Sequence, residues 1–264
     1  MGASDPRTIA RFSVDSLQVQ VYDDRAGAGR AAALAVEQAI RDRQKAAGHA
    51  NVVFAAAPSQ NEFLAGLVAS REIDWSGVVG FHMDEYLGLP SDHPASFRRY
   101  LQEHLFRLVG LDQGRVRLIP GERCDRPLQT CLSYEDKLLA EPIDIVCAGI
   151  GENGHLAFND PPVADFLDPV KVKVVRLDQA CRAQQFHDGC FDRIEDVPTH
   201  AFTLTIPALL AAPHLSVVVP GPRKANAVLT TLRGPINEAC PATALRRHPG
   251  ATLYLDRDAA RLVL

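Results

Sequence analysis

The stretch IDIVCAGIGENGHLAFNDPP, residues 143–162, governs how this chain is read. Its first part, IDIVCAGI, is mostly apolar, the composition of a strand covered on both faces. The following GENGHLAFNDPP holds two glycines, one histidine, two acids, two asparagines and two prolines. In a parallel α/β sheet, ligands bind where such loops leave the carboxyl ends of the strands.

Working outward, short β-branched runs alternate with helical patterns. The expected strands are VQVY (19–22), NVVFAAA (51–57), GVVGFHM (77–83), RVRLI (115–119), VKVVRL (172–177), AFTLTI (201–206), LSVVV (215–219) and ATLYL (251–255), besides 143–150. Helical patterns lie between them, clearest over 28–48, then 132–141 and 223–232. This alternation predicts an α/β fold, a mainly parallel sheet with helices on both faces. At 264 residues the chain fits one large domain spanning 1–264.

Composition narrows the function classes. Hydrophobic residues make up 47% and charged residues 23%, as in ordinary globular chains. The net charge of −4 and the absence of a basic block argue against nucleic-acid binding. No apolar stretch approaches the roughly 20 residues of a membrane span. The opening MGASDPRTIARF lacks a signal-peptide core, and Pro6 stands where a myristoylation motif wants Ser or Thr. The six cysteines form no C-x-x-C pair and read as reduced thiols, so a cytoplasmic protein is expected.

Four segments could carry chemistry. In the opening loop, Asn153 and Asp160 are near enough to orient the ring of His155, which could then shuttle protons near neutral pH. A loop histidine satisfied by backbone is the plainer alternative. In GFHMDEYLGLPSDHPASF (80–97), a strand runs into Asp84-Glu85, and one carboxylate beside another has its pKa raised and can act as a base. Taken alone, the pair reads better as a helix start or a solvated acidic corner. VVVPGPRKANAV (217–228) is strand, turn and helix with Arg223-Lys224 in the first turn, an anion-binding arrangement. VVFAAAPSQNEFL (52–64) repeats the pattern with Ser59 at the helix start. Singly, both are common features of α/β chains.

Taken together and in this order, the four segments resemble the glucosamine-6-phosphate deaminase (isomerase) family of the 6-phosphogluconolactonase-like superfamily, from about Ala50 to Leu255. MDEYLGLPSDHPASF (83–97) and GIGENGHLAFNDP (149–161) carry most of the likeness. The resemblance implies a three-layer α/β/α sandwich of modified Rossmann topology and no metal or organic cofactor. It implies a deaminase/isomerase-type hydrolase that couples aldose–ketose isomerisation of an amino-sugar phosphate to loss of ammonia. A small-molecule sugar phosphate is then the expected partner, and assembly into a homo-oligomer stays open.

By the same resemblance, Asp84 moves a proton between C2 and C1 through an enediolate, accompanied by Glu85. His155 matches the ring-opening acid–base, with Asn153 and Asp160 beside it. Lys224 matches the lysine on the phosphate, and Ser59, Gln60 and Gly151 fall in the loops around it. The chain also departs from the family pattern. Asn153 stands where the family's N-D-G-H-x-A-F-N-E-P loop has aspartate, and Asp160 where it has glutamate. Pro58-Ser59-Gln60-Asn61-Glu62 replaces a P-T/S-G-G-T/S-P loop, removing two glycines that let backbone approach an anion. A family arginine aligns near His187, leaving Arg182 as the nearest basic residue. A lactonase on the same fold and a non-catalytic sugar-phosphate binder are the alternatives, and ammonia release separates them from a deaminase.

Overall fold

The computed structural model describes residues 7–264; the Met1-Gly2 start and Pro6 lie outside the described residues. The strands are β1 (Thr8–Val14), β2 (Leu17–Tyr22), β3 (Ala50–Phe54), β4 (Val78–His82), β5 (Asp84–Tyr86), β6 (Val116–Arg117), β7 (Ile145–Ala148), β8 (Val172–Arg176), β9 (His200–Leu204), β10 (His214–Val219) and β11 (Ala251–Asp256). The α-helices are α1 (Arg25–Ala47), α2 (Asn61–Ala69), α3 (Phe97–Leu101), α4 (Pro127–Ala140), α5 (Gln179–His187), α6 (Ile206–Leu210), α7 (Ala225–Arg233) and α8 (Arg257–Ala260).

Eight strands form the main sheet in the order β1-β2-β11-β10-β7-β3-β4-β6. All of its pairings are parallel except the β1–β2 hairpin at one edge. Strand alternation divides its side chains between two cores, the physical basis of the layered architecture. Val146 and Ala148 of β7 face one core with Val217 and Val219 of β10, while Ile145 and Cys147 face the other with Val52 and Phe54 of β3. Each such Val, Leu or Ile contributes about 1.5–3 kcal/mol by leaving water.

The second core is covered by α1 and α2, which cross closely. A Cβ on Gly29 would stand 2.7 Å from that of Glu62 in α2, so glycine is needed where the two backbones meet. Helix α1 is fixed at both ends. Asp24 accepts the N–H of Gly27 at 2.6 Å, and Gly48, at φ 77°, closes the C-terminus by donating its N–H to Gln44 O.

Two strands expected in the main sheet lie elsewhere. β8 and β9 join β5 in a separate antiparallel sheet, ordered β5-β9-β8. The burial along β8 shows why: Lys173, Val174 and Arg176 are only partly covered or exposed. Such a strand suits a sheet with one wetted face, not the doubly covered centre. The chain crosses from one sheet to the other at Met83, whose carbonyl accepts the N–H of Leu204 at 2.8 Å.

Candidate active site

The four segments singled out in the sequence leave the carboxyl ends of β3, β4, β7 and β10, and these strands are contiguous in the sheet. Parallel neighbours deliver their following loops to one edge, so residues far apart in sequence meet there. Ser59, Gln60, Asp84, Gly151, His155 and Lys224 all line one cavity.

The histidine loop is held by its own turns. Gly151 donates to His155 O at 3.0 Å, and Gly154, at φ 85°, donates to Gly151 O at 3.0 Å. A side chain at Gly151 would overlap the His155 ring, so the glycine makes room for the imidazole. Ala157 has φ 50°, a left-handed conformation that costs a non-glycine residue about 1 kcal/mol or more. That strain is offset by tight anchoring just beyond it. Phe158 N donates to Thr203 Oγ1 at 3.1 Å, and Asn159 Nδ2 donates to Leu204 O at 2.7 Å.

Asp160, fully buried, orients the histidine: its Oδ1 lies 2.9 Å from His155 Nδ1. The approach is at hydrogen-bond distance but bent from the ring's N–H direction. Burial alone would raise the Asp160 pKa, yet the ring, the Asn153 amide and the N–H of Asp178 together hold it below the usual carboxylate range. Asn153 does not touch the ring. Its Oδ1 accepts the His155 backbone N–H at 3.1 Å, and its Nδ2 donates to Asp160 Oδ1 at 3.0 Å and to Asp178 Oδ2 at 3.1 Å. Glu152 is turned away toward Arg223, at 3.4 Å. The Cys181 thiol, pushed well up by burial and then by the Asp160 charge, lies near it. His155, Asp160 and Cys181 bring ligand-type atoms within 4.8 Å of one another.

Asp84 begins β5 and faces the cavity. No donor among the described residues reaches its carboxylate, and burial followed by the Glu85 charge raises its pKa well above the ordinary value. A desolvated, unpartnered carboxylate is a strong base once ionised. Glu85, one residue on, points to the other side and does not line the cavity. Its carboxylate accepts from Tyr86 N, Ser96 Oγ, Phe97 N and Arg98 N, and pairs with Arg98 Nε at 3.1 Å. This pair is buried on both sides, and removing either partner would cost about 3–5 kcal/mol. Glu85 therefore touches the site through its charge on Asp84.

Lys224 is 9% exposed; its backbone N–H donates to Gly221 O at 3.1 Å, while its ammonium makes no hydrogen bond among the described residues. Burial lowers its pKa, while Asp188 and Glu152 pull the other way. Arg182 is not brought to the cavity. Its guanidinium donates to Ile194 O at 2.8 Å and Val197 O at 2.9 Å, fixing the loop after α5. In its place α5 presents Gln184 and Gln185, which the sequence reading missed. Gln185 Oε1 accepts from Tyr86 Oη at 2.7 Å, and Gln184 Oε1 accepts from Glu152 N at 2.8 Å. Only the rotation of α5 distinguishes these amides from Arg182, and sequence gives that weakly for a polar helix.

Comparison with known proteins agrees with this architecture. The profile of the family described as glucosamine-6-phosphate isomerases/6-phosphogluconolactonase matches residues 23–254. A glucosamine-6-phosphate deaminase of Listeria monocytogenes serotype 4a is 35% identical over 217 residues, covering 82% of this chain and 89% of that protein. Another from Bacillus thuringiensis is 38% identical over 192 residues, covering 73% and 70%. Among solved structures, a monomeric glucosamine-6-phosphate deaminase superposes with a TM-score of 0.85 at 28% identity, covering 92% of this chain and 99% of that one. The 6-phosphogluconolactonase of Trypanosoma brucei, at 15% identity and a TM-score of 0.75 over 97% of this chain and 100% of that one, shares the fold. The chain belongs to the glucosamine-6-phosphate isomerase/6-phosphogluconolactonase family.

Proposed function

We propose that the chain isomerises an amino sugar of the glucosamine-6-phosphate type and releases ammonia. The observation that carries this reading is the meeting in one cavity of an unpartnered, desolvated Asp84 with the His155–Asp160 pair. His155 moves a proton from the anomeric hydroxyl to the ring oxygen, opening the ring. Asp84 takes the C2 proton and returns it at C1. The C2 imine so formed adds water and expels ammonia, which is the hydrolytic half of the reaction. Lys224 holds the distal anionic group by charge.

The six free thiols suit a reducing compartment, and we place the protein in the cytoplasm. No helix among the described residues is long and apolar enough to cross a membrane.

The test is ammonia release from amino-sugar phosphates, run in D₂O to follow exchange at C2. Ammonia with C2 exchange supports the reading. Hydrolysis of a sugar-phosphate lactone without ammonia replaces it with the lactonase alternative, and binding without turnover reduces it to a binder.

A further inference from the structure

The distal end of the cavity is built from neutral amides and a cation whose charge is already balanced. Gln60 fills the crevice above β7 and β10. Its Nε2 donates to Val218 O at 3.1 Å and to Ser59 Oγ at 3.2 Å. Val218 O can only accept, so the amide's orientation is fixed and Oε1 is left buried without a partner. Gly149 is what lets this side chain lie there, since a Cβ on it would stand 3.0 Å from Gln60 Nε2. A buried carbonyl oxygen with no donor repels an oxyanion placed beside it.

The charges nearby add to the same effect. Lys224 is the only cationic residue lining the cavity among the described residues. The charges of Asp188 and Glu152 act on it, and Arg223 joins them, 3.4 Å from Glu152 and 3.0 Å from Asp188. Two cations and two anions leave no surplus positive charge for a dianion. Arg25, close to the Pro58–Gln60 turn, is spent on Glu62 at 2.7 Å and on Pro58 O. Arg182 is spent on Ile194 O and Val197 O.

Resting on the deaminase reading above, we infer that Gln60, with Glu152 and Asp188, tunes this subsite to an amino sugar whose distal substituent carries at most one negative charge. Within the proposed substrate class, the singly charged or uncharged member is favoured over the phosphate dianion.

Ammonia release at pH 8 tests this with two sugars of similar shape. Glucosamine 6-phosphate is largely a dianion there, with a second pKa near about 6, whereas glucosamine 6-sulfate is a monoanion. The expected result is a kcat/KM for the sulfate equal to or above that for the phosphate. Gln60→Gly, which opens the crevice, and Asp188→Asn, which removes one acid near Lys224, should each raise the phosphate-to-sulfate ratio roughly threefold or more. Asp188, the partly covered C-cap residue of α5, is replaced by an amide of the same shape and so keeps the test independent of any folding defect in the Gln60 variant. A parent preference for phosphate of about tenfold or more, or a ratio unmoved by both substitutions, overturns the inference while leaving the deaminase reading intact. No ammonia from either sugar in any of these proteins removes the deaminase reading itself.

Discussion

Nδ1 of His155 stands 2.9 Å from Oδ1 of Asp160, a carboxylate with no exposure to water. On the proposed function, the acid holds the ring so that its other nitrogen faces the cavity. Asp160→Asn keeps the shape and removes the charge. In a Ser–His–Asp triad the same change lowers turnover about 10⁴-fold, a general benchmark for this loss. Here turnover on the closed-ring sugar should fall roughly 10²- to 10⁴-fold with little change in KM, and much less on an open-chain analogue. Steady-state kinetics on the two substrates check this.

Asn153 invites the opposite experiment. From sequence, Asn153→Asp looks like the restoration of a missing acid, expected to raise turnover. The structure reverses that expectation, because Nδ2 donates to both Asp160 and Asp178. An aspartate there would bring three carboxylates together and forfeit two charge-assisted hydrogen bonds. Unfolding free energy at pH 7 should drop by roughly 2–3 kcal/mol, and turnover should fall. Adding Asp178→Asn should recover part of the stability. Denaturant titration of the single and double variants decides it.

Asp84→Asn should abolish C2 proton exchange and also stabilise the fold. The sign follows from the raised pKa. A carboxyl group whose folded pKa lies above its unfolded value stabilises the protein while protonated, and that contribution is lost as pH rises through the folded pKa. At neutral pH the native protein therefore bears the cost of either ionising a desolvated Asp84 or holding its proton, and the amide avoids both. A gain of about 0.5–2 kcal/mol is expected at pH 7–8, shrinking towards pH 4. Paired thermal melts at the two pH values, with exchange measured by NMR, check both halves.

Lys224→Ala should raise KM for an anionic substrate by roughly 10- to 150-fold, the worth of a charge-assisted contact of about 1.5–3 kcal/mol. Only the protonated amine attracts an anion, and burial lowers its pKa. In the parent chain, KM should therefore begin to rise below the ordinary lysine value of 10.5 as the solution is made alkaline. The variant should lose that limb of the KM profile.

Much of this site is legible in sequence because its determinants are local. His155, Asp84, Ser59 and Lys224 each follow an apolar strand by a few residues, and strand–turn–helix signals place them at one sheet edge. What failed to show depended on partners far along the chain. Asn153 owes its role to Asp178, 25 residues away. Glu85 was read beside Asp84, yet strand alternation turns it to Arg98 and the start of α3. The edge strand β1 carries an alternating pattern, TIARFSV, but its polar half resembles loop until the hairpin with β2 is seen. β5 spans only three residues, too few for any periodicity.

Thr203 of β9 stands opposite Asp84 in the β5–β9 ladder, and its hydroxyl accepts the N–H of Phe158 just beyond His155. The small antiparallel sheet is thus an alignment jig: the base and the histidine loop, delivered by the broad parallel sheet, are also referenced to the same residue. Local fraying of this three-stranded ribbon would part the two groups while the main core stayed folded. The thermal ceiling of catalysis then belongs to the ribbon, and heat would silence the enzyme before it melted it.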